Sequence, residues 1–300
     1  MVSLYTLHWM KTILVIGASG FMGSNVVNHM RKRHHVVAAF NRNIVKYPGA
    51  SHYMYTLSDR DYMKRMVTIV KPDVIVYCAG VTDFVDCHKR PRVAEAVNSF
   101  GPVVVSAASD TVQHRFIFLS TAYVYDGRKG NFSEGDVVLP QTSFGKSKLA
   151  GENYVRSKFI SYTILRLSPV FGIGSIYHPS IFDRIRMKLE RSERVELPKN
   201  EIHSFLSMNI ALAAIEWAAT GETSNHTYNL GGLTKLSWFD FGVMVADSLG
   251  LDTNLITPSK GNFDDEVDFS LNGSDLVRQL QIDPLVLEQG LDLLKQQLVR

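Results

Sequence analysis

The stretch "TILVIGASGFMGSN", Thr12 to Asn25, decides the fold. Ile13 to Ile16 is a continuous apolar run of strand length, as expected of a strand buried on both faces. It opens directly into Gly17, Gly20 and Gly23, and a helix-forming run begins at Phe21. Glycine permits a tight turn and lets another group approach the backbone closely. A helix N-terminus beside such a turn offers N–H groups and partial positive charge, which suit a phosphate. The spacing is GxxGxxG, and a bare glycine spacing says little. Set between a buried strand and a helix, it points to a dinucleotide. Gly17, Ser19, Gly20, Phe21, Met22 and Gly23 are therefore the expected pyrophosphate-binding residues.

The same alternation continues outward. "HVVAAF" (His35 to Phe40), "DVIVYCAG" (Asp73 to Gly80), "RFIFLS" (Arg115 to Ser120) and "SYTILRL" (Ser161 to Leu167) read as further buried strands. Helices are expected over Phe21 to Lys32, Asp59 to Val70, Arg92 to Ala108 and Ser143 to Ser157. Apolar strands alternating with helices specify an α/β fold, a Rossmann-type doubly wound parallel sheet. After "SPVFG" (Ser168 to Gly172) the rhythm changes to a smaller C-terminal α/β substrate lobe. There "NHTYNLGG" (Asn225 to Gly232) reads as a strand, and Ser237 is placed to cap a helix over Trp238 to Leu249. The expected division is residues 1–170 for the NADP-binding domain and 171–300 for mainly the substrate-binding lobe, with some segments returning to the first domain.

Cofactor type is read at the end of the second strand. A carboxylate there binds the ribose 2′-OH of NAD, and a basic residue accommodates the 2′-phosphate of NADP. The sequence has Asn41 and Arg42 and no acid nearby, so NADP is the expected cofactor and NAD the alternative.

Bulk properties narrow the classes. A net charge of +3 over 300 residues is too mild for a nucleic-acid binder, so no nucleic-acid partner is expected. Two cysteines, Cys78 and Cys87, make no disulfide framework and suit a reducing, cytoplasmic setting. "MVSLYTLHWM" lacks the basic leader and cleavage site of a signal peptide, and no stretch approaches the ~20 residues of a membrane span. The basic cluster "HMRKRHH" (His29 to His35) closes the first helix, where cations suit the helix dipole; no metal is expected there. Arg184, Lys188 and Arg191, at i, i+4 and i+7, are expected to share a helical face for a diphosphate, with Arg166 or His203 nearby. Glu190 is spaced for ordinary pairing with Arg186. Nucleophile elbows, P-loops and HExxH are absent, so hydrolase and kinase readings have no support.

The motifs "GASGFMG", "VIVYCAGVTDFVDC", "AEAVN", "LSTAYVYDGRKGNFSEGD", "FGKSKLAGE", "RLSPVFG" and "YNLGG" follow one another along nearly the whole chain. In this order they resemble the extended short-chain dehydrogenase/reductase superfamily, and within it the dTDP-4-dehydrorhamnose reductases. The regulatory β-subunit of methionine adenosyltransferase resembles the same family. The resemblance implies a catalytic Ser/Thr, Tyr and Lys, which fall on Thr121, position 144 and Lys148. Position 144 is Phe144, which has no hydroxyl. The resemblance also implies cofactor contacts from Thr56, Leu57, Cys78, Ala79, Gly80 and Thr82, and a nucleotide-sugar substrate bound by a homodimer. In the family the tyrosine protonates the substrate carbonyl as hydride arrives, the lysine holds the nicotinamide ribose, and the threonine polarises the carbonyl. Three readings stay open for Phe144: a site altered to trap a complex, another acid such as Tyr123, Tyr125 or water, or a protein that binds the dinucleotide without reducing anything. Departures at Ala122, in the stretch Thr56-Leu57-Ser58 and at Asn209, where the family often has acids, leave the sugar unspecified.

Overall fold

The computed structural model describes residues 10–106, 114–221, 225–281 and 287–298. The chain begins β1 (Thr12–Ile16), α1 (Phe21–Met30), β2 (His35–Phe40), β3 (Ser51–Met54), α2 (Arg60–Val70) and β4 (Val74–Tyr77). It continues through α3 (Phe84–Lys89), α4 (Pro91–Ala94), α5 (Phe100–Ser106), β5 (Arg115–Thr121), α6 (Ser143–Lys158) and β6 (Tyr162–Leu167). Next come β7 (Val170–Phe171), α7 (Ile181–Leu189), β8 (Val195–Pro198), β9 (Glu201–Ser204), β10 (Leu206–Ser207) and α8 (Met208–Thr220). Last are β11 (His226–Leu230), β12 (Lys235–Ser237), α9 (Trp238–Leu249), β13 (Ile256–Ser259), β14 (Val267–Asp268), α10 (Ser274–Leu280) and α11 (Leu287–Leu298).

Seven strands form one parallel sheet in the order β11-β6-β5-β4-β1-β2-β3. The fold is the doubly wound α/β class with a smaller C-terminal lobe, as the apolar alternation predicts. Side chains of α1 and α8 pack on one face, and those of α2, α5 and α6 on the other. Strand order reverses between β1 and β4, opening a crevice at their carboxyl ends where ligands of such sheets bind. The lobe packs α7, α9 and α11 around Phe171, Phe182 and Phe241, beside the β8–β13 pair and the three-stranded β12-β9-β14 sheet. Among the described residues, no helix is long and apolar enough to cross a membrane.

Local chemistry sets the helix starts. Asp59 caps α2 by accepting the Tyr62 N–H, and Ser237 caps α9 by accepting that of Asp240. Ser180 and Asp183 close a reciprocal capping box on α7.

Four details differ from the sequence expectations. Strand β3, "SHYM", is a short edge strand whose alternating exposure left no continuous apolar signal. Helix α3 lies in a stretch to which the sequence assigned no element; Asp83 caps it by accepting the Asp86 N–H. The helix expected from Arg92 to Ala108 is interrupted by a π-turn over Glu95–Ser99; its last two residues lie outside the described residues. Helix α7 ends at Leu189, so Arg191 lies in the following turn and the three-residue basic face does not form. Arg186 and Glu190 do pair, at 2.9 Å.

Candidate active site

The glycines after β1 have different reasons for being glycine. Gly17 has φ +87°, and a Cβ there would stand 2.6 Å from the Ala79 nitrogen at the end of β4. A Cβ on Gly23 would collide with the Gly17 carbonyl, so both are demanded by close backbone packing. Gly20 is different. It caps α1 with an ordinary φ of −70°, and a Cβ there would have no neighbour closer than 3.4 Å. A side chain at Gly20 would fit the fold but would stand before the first turn of α1. That turn has no acidic residue and no side-chain cap. The loop thus keeps a clear approach to a helix N-terminus, which fits a pyrophosphate.

The neighbouring strand ends complete the crevice. Asn41 and Arg42 are exposed at the end of β2, and Asn41 Nδ2 donates to the Tyr55 carbonyl at 3.2 Å. Thr56 Oγ1 lies 2.7 Å from Ser58 Oγ, and Leu57 packs against the core. Cys78 donates its N–H to Ile16 O, tying β4 to β1, and burial pushes its thiol up to about 12. Ala79 is buried, whereas Gly80 is exposed. A Cβ on Gly80 would stand 3.4 Å from both Lys148 Nζ and Asn98 Oδ1, and 3.8 Å from the Thr82 methyl.

Lys148 arrives from the other side. Thr142 caps α6 by accepting the Gly145 N–H at 3.0 Å, which sets the first turns bearing Phe144 and Lys148. Lys148 is 5% exposed, donates to Leu119 O at 2.8 Å and lies 4.9 Å over the Phe118 ring. Burial lowers its ammonium to about 8, against the opposing pull of Cys78, Glu152 and Cys87. Thr121 ends β5, and its Oγ1 accepts the Tyr123 N–H at 3.3 Å.

Phe144 is 6% exposed and meets Phe84 and Tyr123 edge-on, with centroids 5.7 and 6.0 Å away. The Tyr123 hydroxyl turns toward the lobe, 3.1 Å from His203 Nε2 and 3.4 Å from Glu201 Oε2. Burial, then the Glu201 charge, raises this phenol well above its ordinary value. Burial also depresses His203, although Glu201 opposes the shift. The Tyr125 hydroxyl contacts Ser133 O, Asn229 and Arg166.

Two features depart from the sequence reading. Asn98 sits in the π-turn and grips both main-chain atoms of Val81: Oδ1 accepts its N–H at 2.9 Å, and Nδ2 donates to its carbonyl at 2.8 Å. That clamp steadies the segment carrying Gly80 and Thr82. Motif "AEAVN" contains this asparagine, but nothing in its letters announces a π-turn. The second feature is Arg166, expected near a diphosphate. Its guanidinium is instead buried against Glu152, with Nε to Oε1 at 3.0 Å and Nη2 to Oε2 at 2.8 Å. The "HMRKRHH" cluster is also partly engaged, with His29 and Arg33 placed 2.7 and 3.1 Å from Glu216 on α8.

Residues 10–265 match the model of the RmlD substrate binding domain. The probable low-salt glycan biosynthesis reductase Agl14 of Haloferax volcanii is 30% identical over 250 residues, covering 82% of each chain. Methionine adenosyltransferase 2 subunit beta of Rattus norvegicus is 22% identical over 265 residues, 83% of this chain and 75% of that one. The dTDP-4-dehydrorhamnose reductase of Bacillus anthracis, solved with NADP, superposes with a TM-score of 0.82 over 96% of this chain and 100% of that one. At 18% identity, that likeness is one of fold. The family match and the crevice of Gly17, Gly20, Gly80 and Lys148 agree: the chain belongs to the RmlD family of nucleotide-sugar reductases, within the extended NAD(P)-dependent short-chain dehydrogenase/reductases.

Proposed function

We propose that the chain binds NADP(H) and serves a reductase reaction on a nucleotide-linked 4-keto-6-deoxy sugar. The observation that carries this reading is the Lys148 ammonium, buried at the carboxyl end of β5 and directed at Gly80. Residues 1–170 would hold mainly the dinucleotide and residues 171–300 mainly the sugar nucleotide. Backbone N–H groups of Ser19 and of Phe21 to Gly23 would face the pyrophosphate, Arg42 the 2′-phosphate, and Lys148 the ribose next to the nicotinamide. The bound cofactor supplies hydride to the ketone carbon. Thr121 donates its hydroxyl proton as a hydrogen bond to the ketone oxygen, polarising the carbonyl. Phe144 stands where a phenolic acid is expected and donates nothing, so the proton comes from water or from Tyr123. A homodimer through α5 and α6 accords with exposed Phe100 of α5, whose ring lies 5.4 Å from that of Tyr154 on α6.

A second reading is a catalytically impaired NADP-binding regulatory protein. Its support is the Phe144–Phe84–Tyr123 cluster, which fills the acid's place with rings, and the similarity to methionine adenosyltransferase 2 subunit beta.

Fluorescence titration with NADPH tests what both readings share. Saturable binding is expected, and its absence sinks both. The ammonium form of Lys148 is the one that attracts the dinucleotide. Affinity should therefore fall as pH rises through about 8, the value to which burial depresses this group. Lys148→Met should weaken binding by roughly tenfold or more and flatten that limb. An unchanged pH profile in the variant would remove Lys148 from the cofactor site.

A further inference from the structure

The glycine loop is held by two hydroxyls from two separate connections of the fold. Three successive carbonyls there each have a partner. Gly17 O accepts the Gly20 N–H at 3.1 Å, Ala18 O accepts the Tyr47 hydroxyl at 2.7 Å, and Ser19 O accepts the Ser175 hydroxyl at 2.7 Å. A trans peptide is planar, with its N–H opposed to its carbonyl. Holding the Ala18 carbonyl therefore turns the Ser19 N–H to the other side of the loop. Holding the Ser19 carbonyl in turn keeps the Gly20 N–H directed back at Gly17, which closes the turn.

Both donors are themselves well fixed. Tyr47 lies in residues 41–50, the connection from β2 to β3 that also carries Arg42. Its ring stacks on Phe40 and on His52 with centroids 6.2 Å away in each case, and its N–H donates to His52 Nε2 at 2.9 Å. Burial raises its phenol to about 12, so it stays a donor at any ordinary pH. Ser175 lies in residues 172–180, the connection that leads into the lobe. Asn25 of α1 ties that connection a second time by donating to Ile173 O at 2.9 Å.

We propose that Tyr47 and Ser175 are positioning residues for dinucleotide binding, holding the loop carbonyls so that the Ser19 N–H and the first turn of α1 face the pyrophosphate. This rests on the cofactor reading above and adds the two side chains that set the geometry of the loop. Neither is expected to touch the cofactor's reacting atoms.

Tyr47→Phe keeps the ring stack and removes only the hydroxyl, and Ser175→Ala removes the other. Each should raise the NADPH dissociation constant by about fivefold to tenfold. Binding of 2′-AMP, which has the adenosine and 2′-phosphate but no pyrophosphate, should stay unchanged when read by competition. Ser175→Thr, which restores a hydroxyl, should recover most of the NADPH affinity. A parallel loss of NADPH and 2′-AMP binding would mean the hydroxyls only support the fold, and overturns the proposal. Variants that bind NADPH like the wild type overturn it as well and leave the reductase reading standing. A wild-type chain that does not bind NADPH overturns both.

Discussion

Phe144→Tyr should raise kcat for reduction of a nucleotide-linked 4-keto-6-deoxy sugar by about 10²–10⁴-fold, the usual contribution of a positioned general acid. The substitution adds one oxygen, on a helix whose first turn is already capped by Thr142. Lys148 lies one turn further along the same helix, at i+4, where its ammonium would lower the pKa of a new phenol. NADPH affinity should move little, because the glycine loop and Lys148 are untouched. The measurement is steady-state reduction with both proteins, alongside NADPH titration. Brisk turnover by the wild type with no gain in the variant would show that another donor serves. Tyr123→Phe should then abolish activity, although the Tyr123 hydroxyl is engaged by His203 and Glu201 in the structure. Tight NADPH binding with no turnover in either protein would favour the regulatory reading.

Glu152→Gln should destabilise the fold by about 3–5 kcal/mol, the cost of breaking a buried ion pair from one side. Glu152 is 0% exposed. Its two oxygens are met by Ser120 Oγ at 2.6 Å, two nitrogens of Arg166 at 3.0 and 2.8 Å, and Arg156 Nη2 at 2.8 Å. These contacts join β5, α6 and β6 directly beneath the candidate site. Burial alone would raise the Glu152 carboxyl. The hydrogen bonds and charge of Arg166, with Ser120 and Arg156, outweigh it and hold the group below its ordinary value.

A carboxyl whose folded pKa is depressed stabilises the fold above its unfolded value, about 4.3. That contribution fades as pH falls through the lower folded value. Chemical denaturation across that range should show a wild-type acid limb that is shallower in Glu152→Gln. Replacing both partners, Glu152→Met with Arg166→Met, should cost less than the sum of the single replacements, since no buried charge is left unpaired. A Glu152→Gln chain as stable as the wild type would show that the network contributes nothing net.

Much of this was legible in the letters. The run Ile13 to Ile16 followed by Gly17, Gly20 and Gly23 specified strand, turn and helix because burial on two faces and backbone approach each demand particular residue types. Continuous apolar strands were legible for the same reason, and β3 was not, since an edge strand with one solvated face carries no such run. Ser237 marked a helix start because capping is settled within three residues.

Tertiary structure decided the rest. The alternation of element types is a local property, so the sequence by itself determined the α/β class, the glycine turn between β1 and α1, and the place of Thr121 at the carboxyl end of β5. Which polar groups meet is a long-range property. Arg166 could be a ligand for a diphosphate or a partner for Glu152, and only the packing of α6 against β5 and β6 selects the second. Tyr47 and Ser175 reach the glycine loop from 29 and 156 residues away, a distance over which sequence spacing carries no geometry. Lys148 became a buried, depressed ammonium only because α6 lays it against Leu119 and Phe118, out of water, where charge is costly.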